Sequence, residues 1–222
     1  MTATTNLLWL VDRSAGEVTL LLLSLCVMLG IVRAASPHSY PLLIDGLHTN
    51  AALLAIGFAG VHIVTAVVDP FAGLGPVDAL VPFVSAYRGT WLGLGVVSGY
   101  LSAVAVLTSW PARRLRREWW RWLHRATYLA WILALVHALA TGSDTVNRVF
   151  LALDLAAVAG VLAVFLGYRV ANGWQSMPPL WGALAVIAVL VVVGVAVWAS
   201  VGPLQAGWAR SSGTPPRLLG SH

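Results

Sequence analysis

Six stretches of this chain, residues 18–32, 47–68, 91–107, 123–140, 149–168 and 180–201, are almost wholly apolar, and four of them contain no charged residue. The other two carry one each, Arg125 and Asp154. A run of about 20 apolar residues is long enough to cross the hydrocarbon core of a bilayer. Lipid offers no partner to a backbone N–H or C=O, so each run is read as a helix that satisfies its own backbone. Pro37, Pro41, Pro70, Pro76, Pro82, Pro111, Pro178 and Pro179 all fall between the runs, where helix breakers belong. The expected fold is an all-α membrane protein, a six-helix transmembrane bundle.

Composition leaves room for little else. Charged residues are 9% of the 222, against about 25% in soluble domains. Residues 18–201 form the expected transmembrane domain and 1–17 a short N-terminal segment. Residues 202–222, rich in Gly, Ser and Pro, are expected to be a disordered tail. The N-terminus has no basic region ahead of its first apolar run, so that run is read as a retained helix rather than a signal peptide. Cys26 is the one cysteine, which excludes an internal disulfide, a CxxCH attachment site and a cysteine zinc cluster.

All 13 basic residues are arginines. Arg113, Arg114, Arg116, Arg117 and Arg121 crowd the connection between the third and fourth runs, and Arg125 follows just inside the fourth. Such a concentration marks the cytoplasmic side. The second run then leads outward, the third returns, the fourth leads outward again, and both termini are extracytoplasmic. The net charge of +5 reflects this topology and does not point to nucleic acid. Trp119, Trp120 and Trp122 beside the arginines fit an interfacial aromatic belt.

Histidine placement carries the function. His48 and His62 lie 14 residues apart on the second run, and His124 and His137 lie 13 apart on the fourth. At about 1.5 Å per residue each pair spans roughly 20 Å, most of the hydrocarbon thickness. The two runs are parallel, which levels His48 with His124 and His62 with His137. Facing helices can offer opposed imidazoles to one iron, so two bis-histidine haems stacked across the bilayer are expected. His48 and His62 return to one face within about 40°, whereas His124 and His137 fall about 140° apart on a straight helix. A tightened turn near His124 would correct this. The competing reading makes each histidine an interhelical hydrogen-bonding residue, although ionisable groups at membrane depth are usually functional. His38 and His222, in a short loop and at the terminus, are read as uninvolved.

The stretch Trp122-Leu123-His124-Arg125-Ala126-Thr127-Tyr128, followed by His137, resembles a W-L-H-R-x-x-Y…H helix of the ferric reductase-like transmembrane domain family. His48 to His62, continuing as Thr65-Ala66-Val67-Val68-Asp69, resembles its partner helix. Residues 78–88 resemble uncharacterised bacterial members, which implies a multi-pass protein of a bacterial cell membrane. The family includes the membrane cores of ferric reductases, NADPH oxidases and the haem subunit of the periplasmic methionine sulfoxide reductase system. The resemblance implies two haem b groups, an inner one on His48 and His124 and an outer one on His62 and His137. Flavin-binding members continue into a cytoplasmic FAD/NADPH domain, and these runs leave no room for one. The implied donor is therefore a redox partner protein, membrane quinol, or a flavin held by a partner or at the membrane interface.

Other residues have secondary roles in this reading. Arg125, and less strongly Arg121, can pair with a haem propionate or simply set topology. Gly57 and Gly60 can admit a porphyrin or serve helix packing, and Gly93, Gly95 and Gly99 form a small-residue packing face. Trp131, midway between His124 and His137, either packs or shortens the gap between haems. Asp154 can assist proton uptake or make a helix-end contact. The alternative function is a non-redox transporter or structural partner using the histidines as metal or proton sites. A transporter more often shows interrupted helices and midplane charges, which this chain nearly lacks.

Overall fold

The computed structural model describes residues 3–35, 40–70, 72–109, 116–141, 147–172, 190, 192–205 and 207–214. All described secondary structure is helical. Among the described residues, five helices are long and apolar enough to cross a membrane. They are α1 (Ala3–Ala35), α2 (Pro41–Val68), α4 (Gly89–Ser109), α5 (Arg117–Thr141) and α6 (Arg148–Asn172). A short α3 (Pro76–Leu80) stands between α2 and α4. A shorter apolar helix, α7 (Val192–Val201), precedes a final turn of helix, α8 (Trp208–Ser211). The first half of the sixth apolar run, residues 180–189, lies outside the described residues.

Local chemistry explains the helix boundaries. Pro41 opens α2 in its first turn, where its missing N–H costs nothing. Gly75 precedes α3, and its backbone N–H is held by Asp78 Oδ2 at 2.8 Å, with Pro76 at the first helical position. α1 begins at Ala3, well before the expected start at residue 18. Asp12, Arg13 and Glu17 stand on the same helix as the apolar run. Arg13 and Glu17 line a cavity beside His62 and His137, and Asp12 meets His62.

The helices pack as α1 with α2, α4 with α5, and α6 against α1. A core of Leu20, Val27, Ile31, Trp131, Leu135 and Val161 joins α1, α5 and α6, and Ala199 of α7 belongs to it. Trp131 is 4% exposed and its indole N–H donates to Ser24 Oγ at 2.8 Å. It packs in this core and lines neither cavity described below. Away from the core the surface is apolar: Leu53, Leu54, Phe58 and Val64 of α2 are exposed. Exposed apolar side chains in this number suit a lipid environment.

Within the segment expected to be a tail, residues 202–205 and 207–214 lie against the bundle. Arg88, itself 3% exposed, receives this segment. Its backbone N–H donates to Gly213 O at 3.1 Å and its Nε to Thr214 Oγ1 at 2.9 Å. Both Arg88 Nη1 and Trp208 Nε1 donate to Ala140 O at 3.0 Å, satisfying a carbonyl that the end of α5 leaves open. Trp91, Trp198 and Trp208 cluster beside it with ring centroids 5.0–5.9 Å apart. Composition alone does not indicate this, because the contact depends on one tryptophan of the segment, Trp208, and on Arg88 and Ala140 far away in sequence. Residues 215–222 lie outside the described residues.

Candidate functional site

α2 and α5 make no extensive contact with each other. The gap between them is bridged by the two expected pairs of imidazoles. His48 faces His124 with ring centroids 5.8 Å apart, at the arginine end of the bundle. His62 faces His137 at 6.2 Å, toward the far end. A metal–nitrogen bond is about 2.0–2.1 Å and the ring centre lies about 1.2 Å behind the nitrogen, so two imidazoles meeting one metal from opposite sides have centroids about 6.5 Å apart. The far pair is close to that value, and the arginine-end pair stands somewhat closer together.

The angular conflict on α5 is resolved without a tightened turn. α5 is α-helical from Arg117 to Thr141. Its two histidines reach the gap from different flanks of the helix. His137 leans on α4, where its Nδ1–H donates to Trp91 O at 3.0 Å. His124 instead stacks on Trp120 of its own helix, centroids 5.0 Å apart and planes 19° apart. The two histidines need not share a face when the space they enter is wider than one helix contact.

At the far pair both rings are held by their second nitrogen. His62 Nδ1–H donates to Asp12 O at 3.0 Å and lies 2.8 Å from Asp12 Oδ1. With Nδ1 protonated on His62 and His137, each ring keeps its Nε2 lone pair for whatever stands between them. Metal-ligating histidines are oriented in this way by a carbonyl or carboxylate. Two glycines make room. A Cβ on Gly95 would lie 2.6 Å from His137 Nδ1, and one on Gly16 would lie 3.0 Å from His62 Nδ1. Gly93 is likewise committed, since a Cβ there would meet the Phe83 backbone at 2.6 Å. The expected packing face of Gly93, Gly95 and Gly99 is thus partly a ring cradle. A cavity of about 460 Å³ opens beside His62 and His137, and Gly60 lines it while Gly57 does not.

At the arginine-end pair, His48 Nδ1 and His124 Nδ1 are buried with no hydrogen-bond partner among the described residues. Gly30 faces His48 more loosely, its added Cβ lying 3.8 Å from the ring. A second cavity, of about 510 Å³, is lined by both histidines, Gly30, Trp120, Arg121 and Arg125. Arg125 also lies 5.7 Å over the Trp122 ring. Trp119 and Trp122 are exposed, as an aromatic belt requires, but Trp120 turns inward to His124 and donates to Ser109 Oγ at 3.1 Å. His38, Arg113, Arg114 and His222 lie outside the described residues.

Both cavities are of a size that holds a cofactor. Their walls are mainly apolar, with a few converging polar groups. The donor sets fit haem: two opposed imidazoles each, room beside them, and two guanidinium groups at one end for carboxylates. Sequence reasoning did not find Asp12, Gly16 or Gly30. A signal existed, for Gly16 and Gly30 are 14 residues apart on α1, the spacing of His48 and His62 on α2.

These features define a class: a helical membrane bundle with two histidine pairs stacked along its axis. The sequence comparison is more particular, since the profile of the ferric reductase like transmembrane component matches residues 15–135. The chain belongs to that family, and membership points to transmembrane electron transfer in general. The match includes His48, His62 and His124 and stops just short of His137, which the fold brings opposite His62. No curated protein and no solved structure matches the chain.

Proposed function

We propose that this chain is a transmembrane electron conduit with two b-type haems, His48 and His124 binding the inner one and His62 and His137 the outer. The observation that carries the reading is the facing of two imidazole pairs across a gap that helix packing leaves open. When bound, haem supplies one-electron redox chemistry at its iron. The chain's residues do the rest. Trp91 O and Asp12 fix the tautomers of the outer ligands, and Arg121 and Arg125 balance carboxylate charge at the inner end. Apolar walls keep water from both sites and so help set potential. The spacing of about 21 Å between levels on α2 covers most of the bilayer.

In this reading the arginine end is cytoplasmic, α7 belongs to a sixth crossing, and both termini are outside a bacterial cell membrane. The donor is a cytoplasmic NAD(P)H-dependent flavoprotein or membrane quinol, with any flavin held by the partner or at the membrane interface. The acceptor is extracytoplasmic, ferric ion or a redox protein. A reduced-minus-oxidised absorption spectrum with haem quantification on the purified chain tests the assignment. Two haems per chain are expected, with one lost in His62→Ala or His137→Ala. A chain purified from haem-replete cells with no haem would end the proposal.

A further inference from the structure

The cavity at the outer histidine pair has a polar wall that haem ligation does not use. α1 contributes Arg13 and Glu17 to it, and α6 contributes Asp154. Asp154 is 7% exposed, and its Oδ1 is buried with no hydrogen-bond partner among the described residues. Glu17 Oε1 is in the same condition, and the two carboxyl groups interact electrostatically. The other titratable groups on this cavity are His62 from α2, Tyr100 from α4, and His137 from α5, and Thr19, Ser98, Ser102 and Thr141 add hydroxyls. Asp12 is turned to His62, and Arg88 interacts electrostatically with Arg13.

Charge counting gives this wall a function. One guanidinium can balance one carboxylate, and a second carboxylate away from water is costly unless it takes a proton. Whether it must do so depends on the charge next to it. A metal site one electron short offers positive charge to an ionised carboxylate, and an arriving electron removes that support. The proton affinity of the acid then rises by linkage.

We propose that Asp154, with Glu17 as its partner, is a proton-binding site coupled to the electron held at the outer histidine pair. This rests on the haem reading above. One electron arrives from the donor side and one proton enters the carboxyl pair from extracytoplasmic water; when the electron leaves to the acceptor, the proton returns. Net charge in the cavity is then the same in both redox states. Because the reduced state binds the extra proton, the outer potential falls as pH rises.

The test uses the full-length purified protein. A spectrum recorded first shows whether haem is bound, and its absence would count against the haem reading rather than against this site. With both haems present, each midpoint potential is measured against pH, the outer one being identified by its loss in His62→Ala. The outer potential is expected to track pH at about one proton per electron and the inner one to be nearly flat. Asp154→Asn should flatten the outer slope while keeping both haems, and Glu17→Gln should shift the pH range over which it operates. Redox-induced infrared difference spectra of the unmodified protein should show a carboxylic acid band that appears on reduction and is absent in Asp154→Asn. If that variant fails to fold, the band and stoichiometric proton uptake in the unmodified protein decide. A pH-independent outer potential, no acid band on reduction, or a full slope retained in Asp154→Asn would each overturn the proposal.

Discussion

The two histidine pairs occupy one pair of helices, yet they are held in opposite ways. At His62 and His137 the protein itself supplies the groups behind the rings: a carbonyl for each Nδ1, a carboxylate beside one, and glycines pressed against both rings. At His48 and His124 neither Nδ1 meets hydrogen-bond geometry with a described residue, although the Cys26 backbone interacts with His48; the facing glycine stands off, and the specific groups are cations and a stacked indole. The first arrangement fixes ring orientation in advance. The second leaves orientation to the ligand and to aromatic stacking, and invests in charge at the site's edge. Similar ligands thus need not make similar sites, because the groups behind the ligands set their geometry and basicity.

The contrast breaks most visibly at the glycines. Gly95→Ala places a methyl group 2.6–2.8 Å from three atoms of the His137 ring, so the ring must leave its position. Haem content should fall from two to about one per chain, with the outer haem missing. Gly30→Ala, whose added carbon has 3.8 Å of clearance, should retain both. Pyridine haemochrome quantification compares them, and a Gly95→Ala protein with two haems would dissolve the distinction.

A smaller effect is expected at the second shell. Asp12→Ala removes the carboxylate 2.8 Å from His62 Nδ1 but keeps the backbone carbonyl. Outer-haem affinity should drop by about 10–100-fold, the usual range for losing a second-shell partner. Haem transfer to an apo-acceptor measures the rate of loss, and the inner haem should be unaffected. At the other end, Arg125→Ala should weaken the inner haem alone. One charge-assisted hydrogen bond contributes about 1.5–3 kcal/mol, discounted here because the side chain is partly exposed. If Arg125→Ala loosened both haems equally, the arginine would be a folding residue rather than a site residue.

The smallest change should fall where the pairs are not distinguished. Trp131→Phe deletes the buried indole-to-Ser24 hydrogen bond in the shared core. A loss of about 1 kcal/mol in stability is expected, read as a lower thermal midpoint in detergent with both haem spectra intact. A changed rate of electron transfer between haems at unchanged haem content would instead give Trp131 a place in the electron path.

Much of the site was legible along the chain. The apolar runs gave the membrane class, and the levels of the four histidines followed from their spacing and from parallel helices. Other features were hidden for identifiable reasons. Asp12 and Gly16 fall in residues 1–17, outside the expected transmembrane domain, yet α1 starts at Ala3 and carries them to the far histidine pair. The turn of Trp120 toward His124 was invisible beside two tryptophans that do face outward. The fold of residues 202–214 onto Arg88 depends on partners more than 60 residues away in sequence, such as Ala140.

What the sequence determined by itself is the axial coordinate of each histidine. Rise per residue is nearly constant in a helix, so spacing converts directly into depth. What only the tertiary structure decided is the azimuth. A 13-residue interval sets His124 and His137 on different flanks of α5, and no property of that helix alone says whether both can reach α2. They do so because α2 and α5 are held apart by packing with α1 and α4, and the gap admits a ring from either side.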